Sequence, residues 1–415
     1  MTDYYCDLGE GTFADNAGTA TGTAYTGPAG LQAAIRGTGS ATALAAGDTL
    51  YIKGTGDLSR LVLLDCNGTD VSAWAPTNVV RNKDGAGDDW TGVVVQANDD
   101  PPGNLGADDL VLVWLDSGKS VDDIDLADGI ENTTLAESAD PLAAKSAPGV
   151  YFVNNGSSAA PIKFVGVNSS WKEDDTMAVM DGNDKAVTGF ARTEIRSYID
   201  FRNIHVTRTT SSAWAAAFQF RNCSWVNCEA SASGAHGFSG GGSLQYSSMI
   251  NCRAYDNNQC GFGNIYGSSL FGCTAYNNGA EGFHLTYSNA NNCVSYENVT
   301  GYNIARGCSL TNCVADKNTY GVDLDAGAMV VGSRITNNTT YGLMGAESAH
   351  DPYCFYSDNG ENFQSDVYDD RVYGESTRVT SGTIGYIDND DATANADRNY
   401  GLTNAATSRR QEVTL

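Results

Sequence analysis

Asp323 and Asp325 stand two residues apart in the segment YGVDLDAG. On an extended strand that spacing puts both carboxylates on one side of the chain, about 6.5–7 Å apart. Such a pair suits inverting glycoside hydrolysis, with one carboxyl protonating the leaving oxygen and the other activating water. His284 is the nearest candidate partner for proton transfer, and Asn303 and Arg306 are candidate groups for holding a substrate or partner. The competing reading is an ordinary polar sheet face, common on acidic proteins.

These residues share a face only if the chain repeats, and it does. From Trp225 to Gly345, cysteines fall at Cys228, Cys252, Cys273, Cys293 and Cys313, in steps of 24, 21, 20 and 20. A glycine follows each: Gly237, Gly261, Gly282, Gly301 and Gly321, then Gly342. The next residue is always apolar: Phe238, Phe262, Phe283, Tyr302, Val322 and Leu343. Two residues past each cysteine sits a small side chain, Ala230, Ala254, Ala275, Ser295 or Ala315. Asn257, Asn278, Asn298 and Asn318 recur five residues past it, where tolerance of left-handed backbone would suit a turn. A period near 20 with short alternating segments and no helical periodicity selects a parallel β-helix, one coil per repeat, with coils about 4.8 Å apart.

In that register the residue after each inward apolar one faces out. The first outward column is Ser239, Gly263, His284, Asn303 and Asp323; two residues further on, Gly241, Ile265, Thr286, Ala305 and Asp325 form a second. Three residues past the cysteines, Tyr255, Tyr276 and Tyr296 form a third outward column, a candidate surface for sugar rings, for a subunit interface or for packing under a loop.

The 415 residues carry a formal net charge of −26, which disfavours nucleic acid and anionic membranes as partners. No apolar run reaches the ~20 residues of a membrane span. The eleven cysteines have neither the framework of a small disulfide-rich domain nor zinc-site spacing, so they are expected as buried thiols in a protein that folds in a reducing compartment. The start, MTDYYCDLGEG, has no basic or apolar region, so no signal peptide is expected. No cofactor and no metal site are assigned. NKDGAGDD, residues 82–89, lacks the terminal glutamate of a calcium loop, so calcium has no specific motif here.

Read in order, residues 1–70 are a cap and first strands: Tyr4, Tyr5 and Cys6 in a strand, a short helix in GPAGLQAAI (27–35), a strand Thr49–Lys53 and another in LVLLDCNGT (61–69). Residues 71–224 are expected as irregular early coils with long acidic loops. They include strands at 91–97 and 110–115, a solvated acidic run at 120–140 and an Asp181-Gly182 turn. The regular repeats fill 225–345. A closing coil and a tail, suited to fraying or to pairing with a neighbour, fill 346–415.

The succession YYCD, LQAAI, GDTLYIKGT, then PIKFVGV (161–167), MAVMDGNDKA (177–186) and YIDFRNIHV (198–206), resembles right-handed parallel β-helix proteins of the pectate-lyase-like superfamily, bacteriophage tailspikes and virion proteins among them. The resemblance implies an all-β solenoid with a short N-terminal capping helix and a non-repeat C-terminal tail. By analogy it also implies a homo-oligomer, often a trimer. It does not imply an activity. Of the polygalacturonase motifs NTD, DD, GHG and RIK, only Ala235-His236-Gly237 comes near, and the basic residue and calcium site of pectate lyases have no counterpart in the repeats, where Arg253 and Arg306 stand isolated.

Three readings follow. The favoured one, because catalytic motifs are missing, is a structural virion component: a tailspike, fibre or capsid-decorating protein, assembled in the host cytoplasm, contacting other virion proteins and binding host glycans. The second is a polysaccharide hydrolase or lyase using Asp323, Asp325 and His284. The third is a carbohydrate-binding adhesin using the tyrosine column. If the cysteine column is internal, titration of the folded protein with a thiol reagent finds most cysteines reduced but inaccessible, and Cys252→Ser destabilises by about 1–3 kcal/mol.

Overall fold

The computed structural model describes residues 1–9, 24–36, 43–83, 90–97, 109–127, 129–140, 142–152, 154–192, 195–214, 220–238, 244–325, 327–345, 354–363, 377–380, 383–386 and 413–414. The chain divides into two compact units, Met1–Arg253 and Ala254–Leu415. The coils are those of a right-handed parallel β-helix.

In the second unit each coil carries three strands. One sheet stacks Ser269–Phe271, Asn289–Asn291, Ser309–Thr311 and Met329–Val331, all parallel. The next stacks Thr274–Tyr276, Val294–Tyr296, Val314–Asp316, Arg334–Thr336 and Phe355–Ser357. The third stacks Phe262–Tyr266, Glu281–Thr286, Thr300–Ile304, Tyr320–Leu324, Tyr341–Gly345 and Glu361–Phe363. Equivalent residues superpose, so the interior is built of like on like. Phe262 stacks on Phe283 at 4.8 Å and Phe283 on Tyr302 at 4.9 Å. The small column and all eleven cysteines are buried, and every cysteine is unpaired.

The asparagine column is a ladder, not a row of left-handed turns. Asn278 donates from Nδ2 to Asn298 Oδ1 at 2.9 Å and to the Ala254 carbonyl at 3.1 Å. Its own Oδ1 accepts from the backbone and side-chain amides of Asn257. The same bonds recur up the column through Asn298, Asn318 and Asn338 to Asn359. The buried amide therefore satisfies both its donors and both lone pairs. The left-handed backbone falls instead on the residue just before, at Asp256, Asn277, Glu297, Lys317, Asn337 and Asp358, and again before the cysteines at Asn292 and Asn312. A third corner, at Gly267, Tyr287, Gly307 and Gly327, is left-handed too, so three corners per coil take positive φ, and the inward asparagine bridges the turn backbone of neighbouring coils.

The cysteine column also has a partner that spacing does not reveal. Cys293 and Cys313 point their thiols at the carbonyls two residues earlier, at 3.4 Å in each case. Ser333 occupies the next rung and donates to Val331 O at 3.2 Å, before Cys354 resumes the series. In a second column Ser268 and Ser288 make the same bond at 2.9 Å, and Cys308 follows. Serine and cysteine are interchangeable here because both reach that carbonyl.

In the first unit, the strand Asp3–Asp7, the helix Gly27–Arg36 and the strand Thr49–Lys53 form as expected. The helix buries Ala29, Leu31, Ala33, Ala34 and Ile35 and packs against Tyr25–Thr26 and Val150–Phe152. Coil strands resume at Ile162–Gly166, Ala178–Asp181, Ile199–Arg202 and Ile204–Thr207, around a core of Phe164, Phe190, Phe201, Trp214 and Trp225.

Between them the expected early coils do not form. Residues 61–146 make an antiparallel seven-stranded sheet in the order Glu137–Ala139, Ile130–Asn132, Val79–Asn82, Thr91–Ala97, Leu110–Leu115, Leu61–Asp65, Ala144–Ser146. Its central strands, Thr91–Ala97 and Leu110–Leu115, are seven and six residues long, twice the length of most coil strands, and Val111 to Leu115 are buried throughout. Arg60 anchors the sheet from within, donating to Leu115 O at 2.9 Å and lying over the Trp114 ring. The acidic run is correspondingly not one solvated loop. It contributes two of these strands and a turn in which Asp123 accepts from the Ser120 amide at 2.7 Å. The calcium-like segment lies mostly outside the described residues, as does most of the tail. Within the tail, Val413–Thr414 pairs antiparallel with Thr383–Tyr386 of the same chain. Among the described residues no helix is long and apolar enough to cross a membrane.

Two substitutions separate the ladders. Asn298→Ala orphans the Asn278 amides and is expected to cost roughly 2–4 kcal/mol in denaturant titration. Cys293→Ser keeps the carbonyl bond and is expected to cost less than about 1 kcal/mol, so the larger penalty expected from burial by itself does not apply to this column.

Candidate active face

The third sheet of the second unit presents the polar face. Its strands do not alternate strictly. In Glu281–Thr286 the residues Gly282 and Phe283 are both buried, and Glu281 and His284 flank them at the surface. The same double-inward pattern recurs in Thr300–Ile304 and Tyr320–Leu324. Gly282 permits it, because a Cβ there would lie 2.2 Å from Ser295 Oγ and 2.7 Å from the Gly301 carbonyl. The strand therefore bends over the asparagine ladder and brings residues three apart onto one outer face.

His284, Asn303 and Asp323 lie in register on successive coils, as their spacing predicts. Asp325 follows the strand directly and is exposed, while Asp323 is half-buried. Burial first, then the charges of Asp325 and Glu281, raise the Asp323 carboxyl above the usual aspartate range. Arg306 is exposed beyond the end of Thr300–Ile304 and makes no ion pair among the described residues.

Two outward assignments are wrong, Gly263 and Ile265. Ile265 is buried and pairs with Leu285, because the ladder shifts register between Phe262 and Ile265. This bulge carries Asn264 with φ 53° at the surface, and Gly263 is buried. Ser239 and Gly241 lie outside the described residues.

Two members of the face were not expected from the sequence. Glu281 accepts from the Cys260 thiol at 2.9 Å and from Asn303 Nδ2 at 3.4 Å. Burial lifts its carboxyl, but the bonds from Cys260, its own backbone and Asn303, together with His284, outweigh this and hold it below the usual range. Cys260 is buried, and burial followed by the Glu281 contact pushes its thiol up to about 12. Strict alternation turns Glu281 inward. The signal that places it outside is its position immediately before the recurring glycine, shared with Cys260 one coil earlier.

The tyrosine column stands on the second sheet, not with the aspartates. Tyr255 and Tyr276 stack at 5.0 Å and 3°, and Tyr276 and Tyr296 at 4.9 Å and 2°. Both faces of Tyr276 are therefore covered by neighbouring rings, and a sugar cannot lie on it. In the first unit Arg253, expected to be isolated, pairs with buried Glu229. Nearby, His205 contacts Ser231 at 2.8 Å. Burial, then Arg253, lowers this imidazole to about 4, and Ser231 is itself buried and bonded to Thr207, so the group serves packing.

Three parallel sheets wound by repeating coils define a right-handed parallel β-helix. Among solved structures it is similar to the pectate lyase Pel9A, with 15% identity, TM-score 0.47, and coverage of 91% of this chain and 82% of that one. It is also similar to a rhamnogalacturonan lyase, with 14% identity, TM-score 0.42, and coverage of 85% and 74%. A third likeness is to ORF18 of Geobacillus virus E2, with 15% identity, TM-score 0.28, and coverage of 58% and 56%. No family model and no curated protein matches the sequence.

The raised Asp323 carboxyl gives a pH test. The folded protein holds this proton more tightly than the unfolded chain does. Its contribution to stability is thus present below the ordinary aspartate range and lost as pH rises through the raised value. Asp323→Asn is expected to raise the melting temperature at neutral pH and to leave it unchanged in strong acid, read from melting temperatures across a pH series.

Proposed function

We propose that the protein acts on a polysaccharide laid across the face formed by Glu281, His284, Asn303, Asp323 and Asp325. The observation that carries this reading is the unequal pair at its centre. Asp323 is half-buried, and burial followed by the charges of Asp325 and Glu281 raises its carboxyl, whereas exposed Asp325 sits beside it. A half-buried carboxyl whose affinity for its proton is raised, beside an exposed one, suits a division of general acid and general base. Asp323 is assigned as the acid that protonates the leaving oxygen, and Asp325 as the base that activates water. His284 and Asn303 continue the column on the coils below and would contact neighbouring sugar hydroxyls; Arg306 at the edge supplies a positive charge for an acidic glycan.

Calcium, which the fold family implies for its lyase members, does not fit this face. Calcium takes six to eight oxygens. Here the Glu281 oxygens already accept from Cys260 and Asn303, and the donors beside them are a thiol and an imidazole. No step is assigned to it.

A second reading is a structural virion component, a tailspike, fibre or decoration protein that forms a homo-oligomer, such as a trimer, in the host cytoplasm. The observation favouring it is the set of eleven buried, unpaired thiols, which suits assembly under reducing conditions. A spike that cleaves a surface glycan would satisfy both readings.

A panel of bacterial surface polysaccharides incubated with the protein is expected to yield new reducing ends. Asp323→Asn and Asp325→Asn should each lower the rate by at least about a hundredfold, the general acid–base contribution. Unsaturated products would replace hydrolysis by elimination, and no cleavage across the panel would sink the enzymatic reading. Sedimentation of the intact protein checks the oligomer: a monomer at micromolar concentration removes the trimeric spike.

A further inference from the structure

We propose that Cys260, Glu281 and His284 form a binding site for a borderline divalent ion of the zinc type, with three protein ligands and an open fourth position. The Cys260 sulfur, one Glu281 oxygen and one His284 ring nitrogen all lie within 4.8 Å of one another. Tetrahedral zinc holds sulfur at about 2.3 Å and nitrogen or oxygen at about 2.0–2.2 Å, so its ligand atoms stand roughly 3.5 Å apart. Rotamer adjustments of about an ångström would close the set.

The coil repeat explains how these residues meet. Cys260 and Glu281 occupy the same repeat position, each immediately before the glycine that bends the strand, so they sit one above the other on adjacent coils. The double-inward turn then returns His284 to the same face, three residues after Glu281. The ligands are 21 and 3 residues apart in sequence, a pattern that no local motif contains. The ladder beside His284 carries a bulge between Phe262 and Ile265, and bulges of this kind are frequent beside functional sites.

The donor chemistry selects the ion. A thiol and an imidazole disfavour calcium and magnesium, and the mixed sulfur, nitrogen and oxygen set suits zinc, or cobalt as its spectroscopic substitute. At present a proton occupies the contact, since the Cys260 thiol donates to Glu281. Binding would exchange it: the S–H bond breaks, sulfur–metal and oxygen–metal bonds form, and the proton leaves to solvent. Asn303, bonded to Glu281 from the next coil, would orient that ligand from behind. The site shares its sheet with the proposed acid–base pair but does not depend on that reading, because the ligand set stands without any cleavage chemistry.

The test uses the full chain in reduced, metal-free buffer. Titration with Co²⁺ should give a sulfur-to-cobalt charge-transfer band that saturates at one ion per chain, is displaced by Zn²⁺ and is absent with Ca²⁺. Cys260→Ser should abolish the band, and His284→Gln should weaken binding at least about tenfold. Cys308→Ser, which removes a buried thiol elsewhere, should leave the titration unchanged. Circular dichroism of each variant separates loss of a ligand from loss of fold. Absence of the band in the folded wild-type protein, or its persistence in folded Cys260→Ser, overturns the proposal. Neither result bears on polysaccharide cleavage, which is measured separately.

Discussion

The structure depends on the hydrogen bonding between successive coils. Once parallel strands pair in register, a residue has its own counterpart directly above and below it, and whatever it is must tolerate a copy of itself at about 4.8 Å. Aromatic rings meet this demand by stacking, small residues by leaving room, and thiols or hydroxyls by turning to a backbone carbonyl. Asparagine meets it best, because its amide is both donor and acceptor and can hand a hydrogen bond along the column without end. An aspartate in the same column would stack charge on charge. Among the described residues the ladder from Asn257 to Asn359 holds no acidic side chain.

That constraint is also why so much of the architecture was legible. A column of identical residues at a 20-residue step is a direct image of the coil, and Cys273, Cys293 and Cys313 with Phe262, Phe283 and Tyr302 sufficed to assign the inside. The antiparallel sheet of residues 61–146 was legible as strands but not as topology. Its segments had the right length and composition, and nothing in TGVVVQA or LVLVWL tells a reversing neighbour from a coiling one. Pairing direction is a long-range property, fixed here by packing around Arg60 and Trp114 and not by any local signal.

The face was half legible for a related reason. Parity placed His284, Asn303 and Asp323 correctly because they share one register. It failed for Glu281 because two inward residues in succession break the alternation at a glycine, and for Ile265 because a bulge adds a residue to one coil. Both errors arise at bends, where the period of two that governs a strand gives way to the geometry of a corner. Those bends are also where the chemically distinctive contact, a thiol against a carboxylate, is found.

The interchange of serine and cysteine along the inner columns bears on where such a chain can live. The thiols of Cys228, Cys252, Cys273, Cys293 and Cys313 each meet a carbonyl that the Ser333 hydroxyl meets in the same column, so sulfur is not a requirement of that column. A descendant could exchange its rungs one at a time, each step leaving the stack intact, and arrive at a solenoid indifferent to oxidants. The cysteine column from Cys228 to Cys313 is buried, so the change would leave the outer surface as it is. Tolerance of oxidants is thus open to this fold without refolding anything.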